Sequence, residues 1–278
     1  MKTPVKPGIF RDVPRNDYHA WDAAHATGLK RFEKSAAHAR EAMLHPPEPT
    51  AALDVGDALH AAVLEPVRFA TEYAVAPKLD RRRKADREEW EQFEASHPGA
   101  VVLKENEGEM IAGMAASVRA HETAARLIGA PGVVELSAFW FDAETKMPCK
   151  LRADRFTSFA GWPCIVDLKS TKDASPRGFP REATTYGYHV QAAWYLDGLN
   201  AIERAERRFL FIAVEKEPPY AAAVYELDVV SLEAGRTQAR RYLLAWSKAR
   251  KDNLWPGYPA GLTTLTLPPW AFREENVE

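Results

Sequence analysis

Residues 149–169 constrain this chain more than any other stretch. Lys150-Leu151-Arg152-Ala153-Asp154 and, after a turn, Ile165-Val166-Asp167-Leu168-Lys169 alternate charged and apolar side chains. A strand sends successive side chains to opposite faces. Lys150, Arg152 and Asp154 therefore share one face, and Asp167 and Lys169 share a face opposite Val166 and Leu168. Cys164-Ile165-Val166 reads as a central strand entering the core, which makes a solvated edge a poor account of these charges. Pairing across the turn at 157–162 predicts Asp154 beside Asp167. Two carboxylates held together repel, and a divalent cation bound through oxygen is the usual remedy. With Lys169 adjacent to orient or deprotonate water, the set suits metal-assisted hydrolysis of a phosphodiester. An acid two residues before a lysine is common by chance, and Glu144-Thr145-Lys146 is a second instance, in a polar turn. Asp154 on the preceding strand is what sets 167–169 apart.

Composition narrows the setting. The 278 residues carry 37 Lys+Arg against 39 Asp+Glu, a formal net charge of −2, which argues against coating nucleic acid by bulk charge. It leaves room for positive charge confined to one groove. At 46% hydrophobic and 10% aromatic the chain is an ordinary globular protein, long enough for a core without staples. No apolar run reaches the ~18 residues of a membrane helix, and no secretory signal is visible, so a soluble, cytoplasmic protein without membrane partners is expected. Cys149 and Cys164 are too few for a disulfide framework or an iron–sulfur cluster and read as buried small hydrophobes.

The chain reads as a single domain over 1–278, mainly helical to about 130 and sheet-containing from 131. Residues 1–27 are irregular. Helices are expected over 28–44 (N-cap Thr27), 55–64, 105–127, 179–199 and 230–251, with another around Trp90 and Phe93. Strands are expected at 133–141, 149–159 and 163–169, then a pair at 209–215 and 221–227 around Pro218-Pro219. This order predicts an α/β fold with a central mixed sheet flanked by helices and an N-terminal helical region.

Three further features belong with the acids. Tyr188, Gln191 and Tyr195 fall on one helix face at i, i+3, i+7, able to bond phosphates or metal ligands. His60 sits on a mostly apolar helix, where a lone histidine is commonly a satisfied core residue. Glu135 precedes Asp154 by one strand, opposite Val134 and Leu136; a buried acid there needs a partner, which a metal or Lys150 would supply.

Asp154…Asp167-Leu168-Lys169 resembles the signature of the PD-(D/E)XK nucleases. His60 and Gln191-x-x-x-Tyr195 resemble the extra motifs of the RecB-type branch. Several blocks are similar to the nuclease domain of the RecE (exonuclease VIII) family: Gly56 to His60 with Leu64-Glu65-Pro66, Val75 to Arg82, Lys150 to Asp154, Ile165 to Thr171, and Trp255-Pro256-Gly257-Tyr258. The resemblance implies a restriction-endonuclease-like fold and Mg²⁺-dependent, ATP-independent 5′→3′ digestion of linear double-stranded DNA. The product would be 3′ single-strand tails. It implies one or two Mg²⁺ per subunit, with Mn²⁺ as an alternative. His60, Asp154, Asp167 and the Leu168 carbonyl would be ligands and Lys169 would position water. Glu135 would be a second-metal or outer-shell acid, and Gln191 and Tyr195 would hold the site and the DNA backbone. Ser35, Arg81, Arg82, Arg83, Lys84, Arg152 and Tyr188 would contact DNA. A homo-oligomeric ring, with a tetramer favoured, and a RecT-like single-strand annealing recombinase would be its partners.

The chain departs from the pattern at Ala36, where a proline is usual, and after Arg82, where Arg83-Lys84-Ala85-Asp86-Arg87 replaces a Thr-x-x-Gly-Lys type continuation. The rival readings are another PD-(D/E)XK nuclease (an endonuclease or single-strand-specific enzyme), a non-catalytic DNA-binding module on the same fold, and an unrelated metallohydrolase of small phosphates.

Overall fold

The computed structural model describes residues 3–46, 51–78 and 84–267. In chain order the elements are β1 (Gly8–Phe10), α1 (Arg15–Ala20), α2 (Ala26–Lys30), a 3-10 turn (Arg31–Glu33), α3 (Ala36–Leu44), α4 (Ala51–Leu64), α5 (Pro66–Glu72), β2 (Tyr73–Val75), α6 (Lys84–Ser96) and β3 (Val101–Leu103). Then follow α7 (Glu105–Ala120), α8 (Glu122–Gly129), β4 (Gly132–Phe141), β5 (Pro148–Phe159), β6 (Trp162–Thr171), α9 (Phe179–Thr185), α10 (Tyr188–Ile202), β7 (Arg208–Glu215), β8 (Ala222–Glu226) and α11 (Val229–Asp252).

Six strands form one mixed sheet in the order β1-β4-β5-β6-β7-β8, and β2 and β3 pair in a separate parallel ribbon. Only β6 and β7 run parallel within the large sheet, which requires the crossover made by α9 and α10. Ile165, Phe209 and Phe211 pack with α10 and α11 on one side of the sheet. Val166, Leu168, Leu210 and Ile212 pack with α4, α7 and α8 on the other. The mixed sheet between helical layers is the architecture expected. Cys149 and Cys164 are free and buried. Among the described residues no helix is long and apolar enough to cross a membrane.

Several expected elements are divided. Residues 1–27, read as irregular, supply β1 and α1 and close a small aromatic core of Tyr18, Trp21 and Phe139. The helix over 28–44 breaks at Ser35, whose hydroxyl caps α3 by accepting from His38 N at 3.3 Å; the cap ahead of α2 is His25, not Thr27. The helix over 105–127 breaks at His121, which has extended backbone and caps α8. That over 179–199 breaks at Gly187, whose φ of +64° is a left-handed conformation that glycine adopts without a Cβ penalty.

The hairpin between β5 and β6 fixes the site. Its two loop residues, Ala160 and Gly161, both have positive φ (50° and 84°), the conformation that matches the twist of paired strands. This tight turn sets the register Phe159↔Trp162 through Arg155↔Val166, so Asp154 and Asp167 come next, face to face. A slip of one residue would turn one acid to the opposite side of the sheet. The β4–β5 register runs Val134↔Arg155 and Leu136↔Ala153, skipping Glu135 and Asp154. Glu135, Asp154 and Asp167 thus occupy one row across three neighbouring strands.

Candidate active site

The β5–β6 ladder stops at Arg155↔Val166, one pair short of the acids, and the freed backbone is used by the site. Leu168 N donates to Asp154 Oδ2 at 2.9 Å instead of continuing the ladder. From α4, His60 Nε2 approaches the same oxygen at 3.0 Å, while its Nδ1 lies 2.8 Å from the Gly56 carbonyl oxygen. A carbonyl only accepts, so Nδ1 carries a proton, and Nε2 meets a carboxylate favourably when it too is protonated. His60 is therefore an imidazolium against Asp154. Burial alone would lower it, but the Asp154 charge, its hydrogen bond and the Gly56 carbonyl offset that and raise it to about 9.

Asp167 is 1% exposed. Gln191 Nε2, from α10 on the opposite side of the sheet from α4, donates to its Oδ1 at 2.6 Å. Lys169 Nζ lies 2.5 Å from its Oδ2, so the amide holds one carboxylate oxygen and the ammonium the other. The ammonium also sits 4.9 Å from the Tyr188 ring centroid. Burial and the neighbouring Asp154 push the Asp167 carboxyl above its ordinary value against the pull of Lys169. For Asp154 burial is outweighed by His60, Lys169 and the Leu168 amide, which hold its carboxyl below the ordinary value. Two adjacent carboxyls driven in opposite directions is a pattern that marks acid–base and metal sites.

Glu135 completes the row at a cost. Its φ of +56° is left-handed, unusual for a non-glycine inside a strand and of order 1 kcal/mol in strain. The alternation of β5 changes sense opposite it: Ala153 joins the core beneath α10, whereas Arg155 turns to α8 and donates to the Leu127 carbonyl at 3.0 Å. Burial and Asp154 raise the Glu135 carboxyl. Its partner is Arg152, which binds its Oε2 through Nε, and not Lys150. Lys150 instead donates to the carbonyls of Tyr18 (2.8 Å) and Trp21 (2.7 Å), because the N-terminal segment folds over β5 and leaves the carbonyls at the end of α1 needing donors.

A cleft of about 840 Å³ opens beside this row, with Glu135, Asp154, His60 and Tyr195 in its wall. Arg15, Arg31 and Arg68 also line it together with acids: Arg15 pairs with Asp57 at 2.7 Å, and Arg68 pairs with Glu65 at 2.8 Å and Glu72 at 2.7 Å.

Carboxylates, an imidazole and a strand carbonyl are ligands for a hard divalent cation. Asp167 Oδ2, whose partner is the Lys169 ammonium at 2.5 Å, is the oxygen such an ion would share. Among the described residues no group of three or more His, Cys, Asp or Glu side chains is gathered closely enough to hold an ion. In the structure His60 and Lys169 neutralise the acids instead. The residues fit a divalent cation by chemistry, with the protein's own cations competing for the same oxygens.

Residues 26–265 match the family described as a PDDEXK-like domain of unknown function (DUF3799). The chain belongs to this PDDEXK-like family. Among solved structures it is similar to a "Putative exonuclease" from Eubacterium rectale, at 13% identity and TM-score 0.58 over 93% of this chain and 96% of that one. At that identity the likeness concerns the fold. SSO0001 (14% identity, TM-score 0.30, 69% of this chain and 86% of that one) and VC1899 from Vibrio cholerae (10%, 0.25, 87% and 59%) are too distant in shape to bear on it. No curated protein matches the chain. The PDDEXK-like assignment agrees with the motif at Asp154 and Asp167-Leu168-Lys169 and with the mixed sheet that presents it.

Within this PDDEXK-like domain the structure brings together His60, Asp154, Asp167, Leu168, Lys169, Glu135, Arg152, Gln191, Tyr188 and Tyr195. Arg152 lies in the cleft wall with its guanidinium engaged by Glu135, the Val13 carbonyl (2.9 Å) and the Tyr18 ring. Tyr188 is 9% exposed and lies under Lys169, which makes it a support for the lysine and not a surface contact. Ser35 is a helix cap on a separate hollow of about 430 Å³ between α3 and α11. Arg81, Arg82 and Arg83 lie outside the described residues, as does the Lys84 side chain. Sequence reasoning missed Arg15 and Tyr18, whose stretch reads as irregular, and Arg31, which the helical spacing of 28–44 does not set apart. It missed Lys30, whose Nζ donates to the Tyr186 carbonyl at 2.8 Å and which burial, with Lys169 nearby, lowers to about 8.

Proposed function

We propose that this chain is a divalent-metal-dependent exodeoxyribonuclease that digests linear double-stranded DNA from its ends. The observation that carries this reading is the facing pair Asp154 and Asp167 at the open end of the β5–β6 hairpin, with Lys169 and Gln191 both on Asp167. The family assignment and the fold neighbour named as an exonuclease support it.

His60, Asp154, Asp167 and the Leu168 carbonyl would hold the cation. When bound, Mg²⁺ there would supply Lewis-acid stabilisation of the charge that develops on the scissile phosphate. Lys169 holds its proton firmly, since Asp167 and Asp154 offset its burial and raise it, so it acts as a donor to the attacking water and the phosphate oxygens. Gln191 fixes the Asp167 carboxylate, and Tyr188 fixes the Lys169 ammonium over its ring face. As a ligand through Nε2, His60 would have to be neutral, so holding the ion would be coupled to loss of the imidazolium proton.

We assign the polarity as 5′→3′, without ATP, leaving 3′ tails for a RecT-like annealing recombinase. We place the enzyme in the cytoplasm as a closed homo-oligomeric ring, with four copies favoured. A ring answers how a chain of net charge −2 stays on long DNA: enclosure replaces bulk attraction. Duplexes labelled at the 5′ or 3′ end, with and without Mg²⁺, test the proposal alongside closed circular DNA. Early release of the 5′ label, an intact circle and no digestion in chelator are expected. Cutting of the circle would make the enzyme an endonuclease, and binding without cleavage would make it a DNA-binding module.

A further inference from the structure

An aromatic column rises from the core beside Lys169 and ends in solvent. Phe211 lies 5.9 Å from Tyr188, Phe179 lies 6.0 Å from it, and Tyr186 stacks on Tyr188 at 5.9 Å with rings 23° apart. Tyr188 is buried at 9% exposure, whereas Tyr186 is 55% exposed. One side of the Tyr186 ring is therefore supported and much of the rest is open to solvent. The turn that carries it is held in place: Tyr186 N donates to the Glu182 carbonyl at 2.9 Å, Gly187 N to Thr184 at 3.2 Å, and Lys30 Nζ to the Tyr186 carbonyl at 2.8 Å. Lys172, Arg177 and Arg181, all exposed, lie on the same stretch between β6 and the end of α9.

An exposed tyrosine backed by a buried one, on a fixed turn with cations along the same segment, is the equipment that binds single-stranded nucleic acid. The ring takes a base by stacking, which any base permits, and the cations take the backbone. Lys169 Nζ is 4.9 Å from Tyr188 and Tyr188 is 5.9 Å from Tyr186, so the platform stands within about three base steps (~3.4 Å each) of the lysine. We infer that Tyr186 is a stacking platform for an unpaired nucleobase within about three steps of the scissile phosphate. Its ligand class is a nucleotide already released from base pairing, so the site engages DNA whose end has opened. The inference rests on the nuclease reading and adds to it the state of the substrate at the site.

The test uses the full chain and a phosphorothioate-protected duplex with a short single-stranded end carrying 2-aminopurine. Wild type and Tyr186→Phe should quench the fluorophore and bind equally. Tyr186→Ala should lose the quench and about 5- to 150-fold in affinity, the measure of one stacked base at about 1–3 kcal/mol. A blunt-ended duplex without unpaired bases should be bound less differently by the three proteins. Because Tyr186 is exposed, its variants should melt with the wild type. If Tyr186→Ala quenches and binds as wild type does while wild type digests unprotected DNA, the platform is overturned and the nuclease reading stands. If wild type neither binds nor digests DNA, both are overturned.

Discussion

Gln191 on α10 donates to Asp167 on β6 at 2.6 Å, and this bond decides which carboxylate oxygen remains for chemistry. With Oδ1 taken by the amide, Oδ2 is turned toward the Lys169 ammonium 2.5 Å away. A residue that orients a ligand in this way is commonly worth 10- to 100-fold in metal affinity or activity. Gln191→Ala should therefore raise the Mg²⁺ concentration needed for half-maximal digestion by about that factor. A Mg²⁺ titration of the rate checks it; an unchanged midpoint would show that Asp167 needs no such orientation.

Lys150 binds the carbonyls of Tyr18 and Trp21 from a 3% exposed position. Replacing it by Met leaves the Trp21 carbonyl without this donor, at about 1–3 kcal/mol for a buried group, while the Tyr18 carbonyl keeps the Trp21 amide at 3.2 Å. Lys150→Met should lower stability by about 1–3 kcal/mol in urea unfolding. Arg152 should follow indirectly, because Tyr18 packs against it.

His25 gives a pH signature away from the acids. Burial lowers its imidazole from 6.5 to about 4, against a bond from Nδ1 to the Ala23 carbonyl at 3.2 Å. The unfolded chain binds the proton more readily than the folded one, so stability is lost as pH falls from about 6.5 toward 4 and is unaffected above that window. From pH 7.5 to 5 this group should account for about 2 kcal/mol. His25→Gln should lose less stability over that range than wild type by about that amount, as read from urea midpoints at the two pH values.

The strands that carry the acids were legible because alternation of charged and apolar residues is local, and a turn bounded by strands fixes register. Asp154 opposite Asp167 follows from counting back from the Ala160-Gly161 turn. His60 was ambiguous: its helix is apolar, and only the fold shows that it meets Asp154. The partner of Glu135 could not be read, because it depends on the left-handed φ at Glu135 and on where α1 settles over β5. Breaks at Ser35, His121 and Gly187 lie inside stretches whose apolar spacing stays helical, so periodicity runs through them. The β2–β3 ribbon joins residues separated by a whole helix, and three-residue strands carry too little pattern to announce themselves.

Asp154→Asn changes one charge and keeps the shape of the side chain. His60 then loses the carboxylate that offsets its burial, so its imidazole should drop from about 9. Histidine-resolved NMR titration of wild type and variant reads this without reference to activity. An unmoved His60 titration would place the imidazole away from Asp154 in solution.

The most direct measurement is release of acid-soluble nucleotide from linear duplex DNA by wild type and Asp167→Asn, each with Mg²⁺ and with chelator. The account predicts digestion by wild type with Mg²⁺ only, and a loss of about 10³-fold or more in the variant, equivalent to about 4 kcal/mol of transition-state stabilisation. Equal rates from the two proteins, or digestion by wild type that survives the chelator, would contradict it.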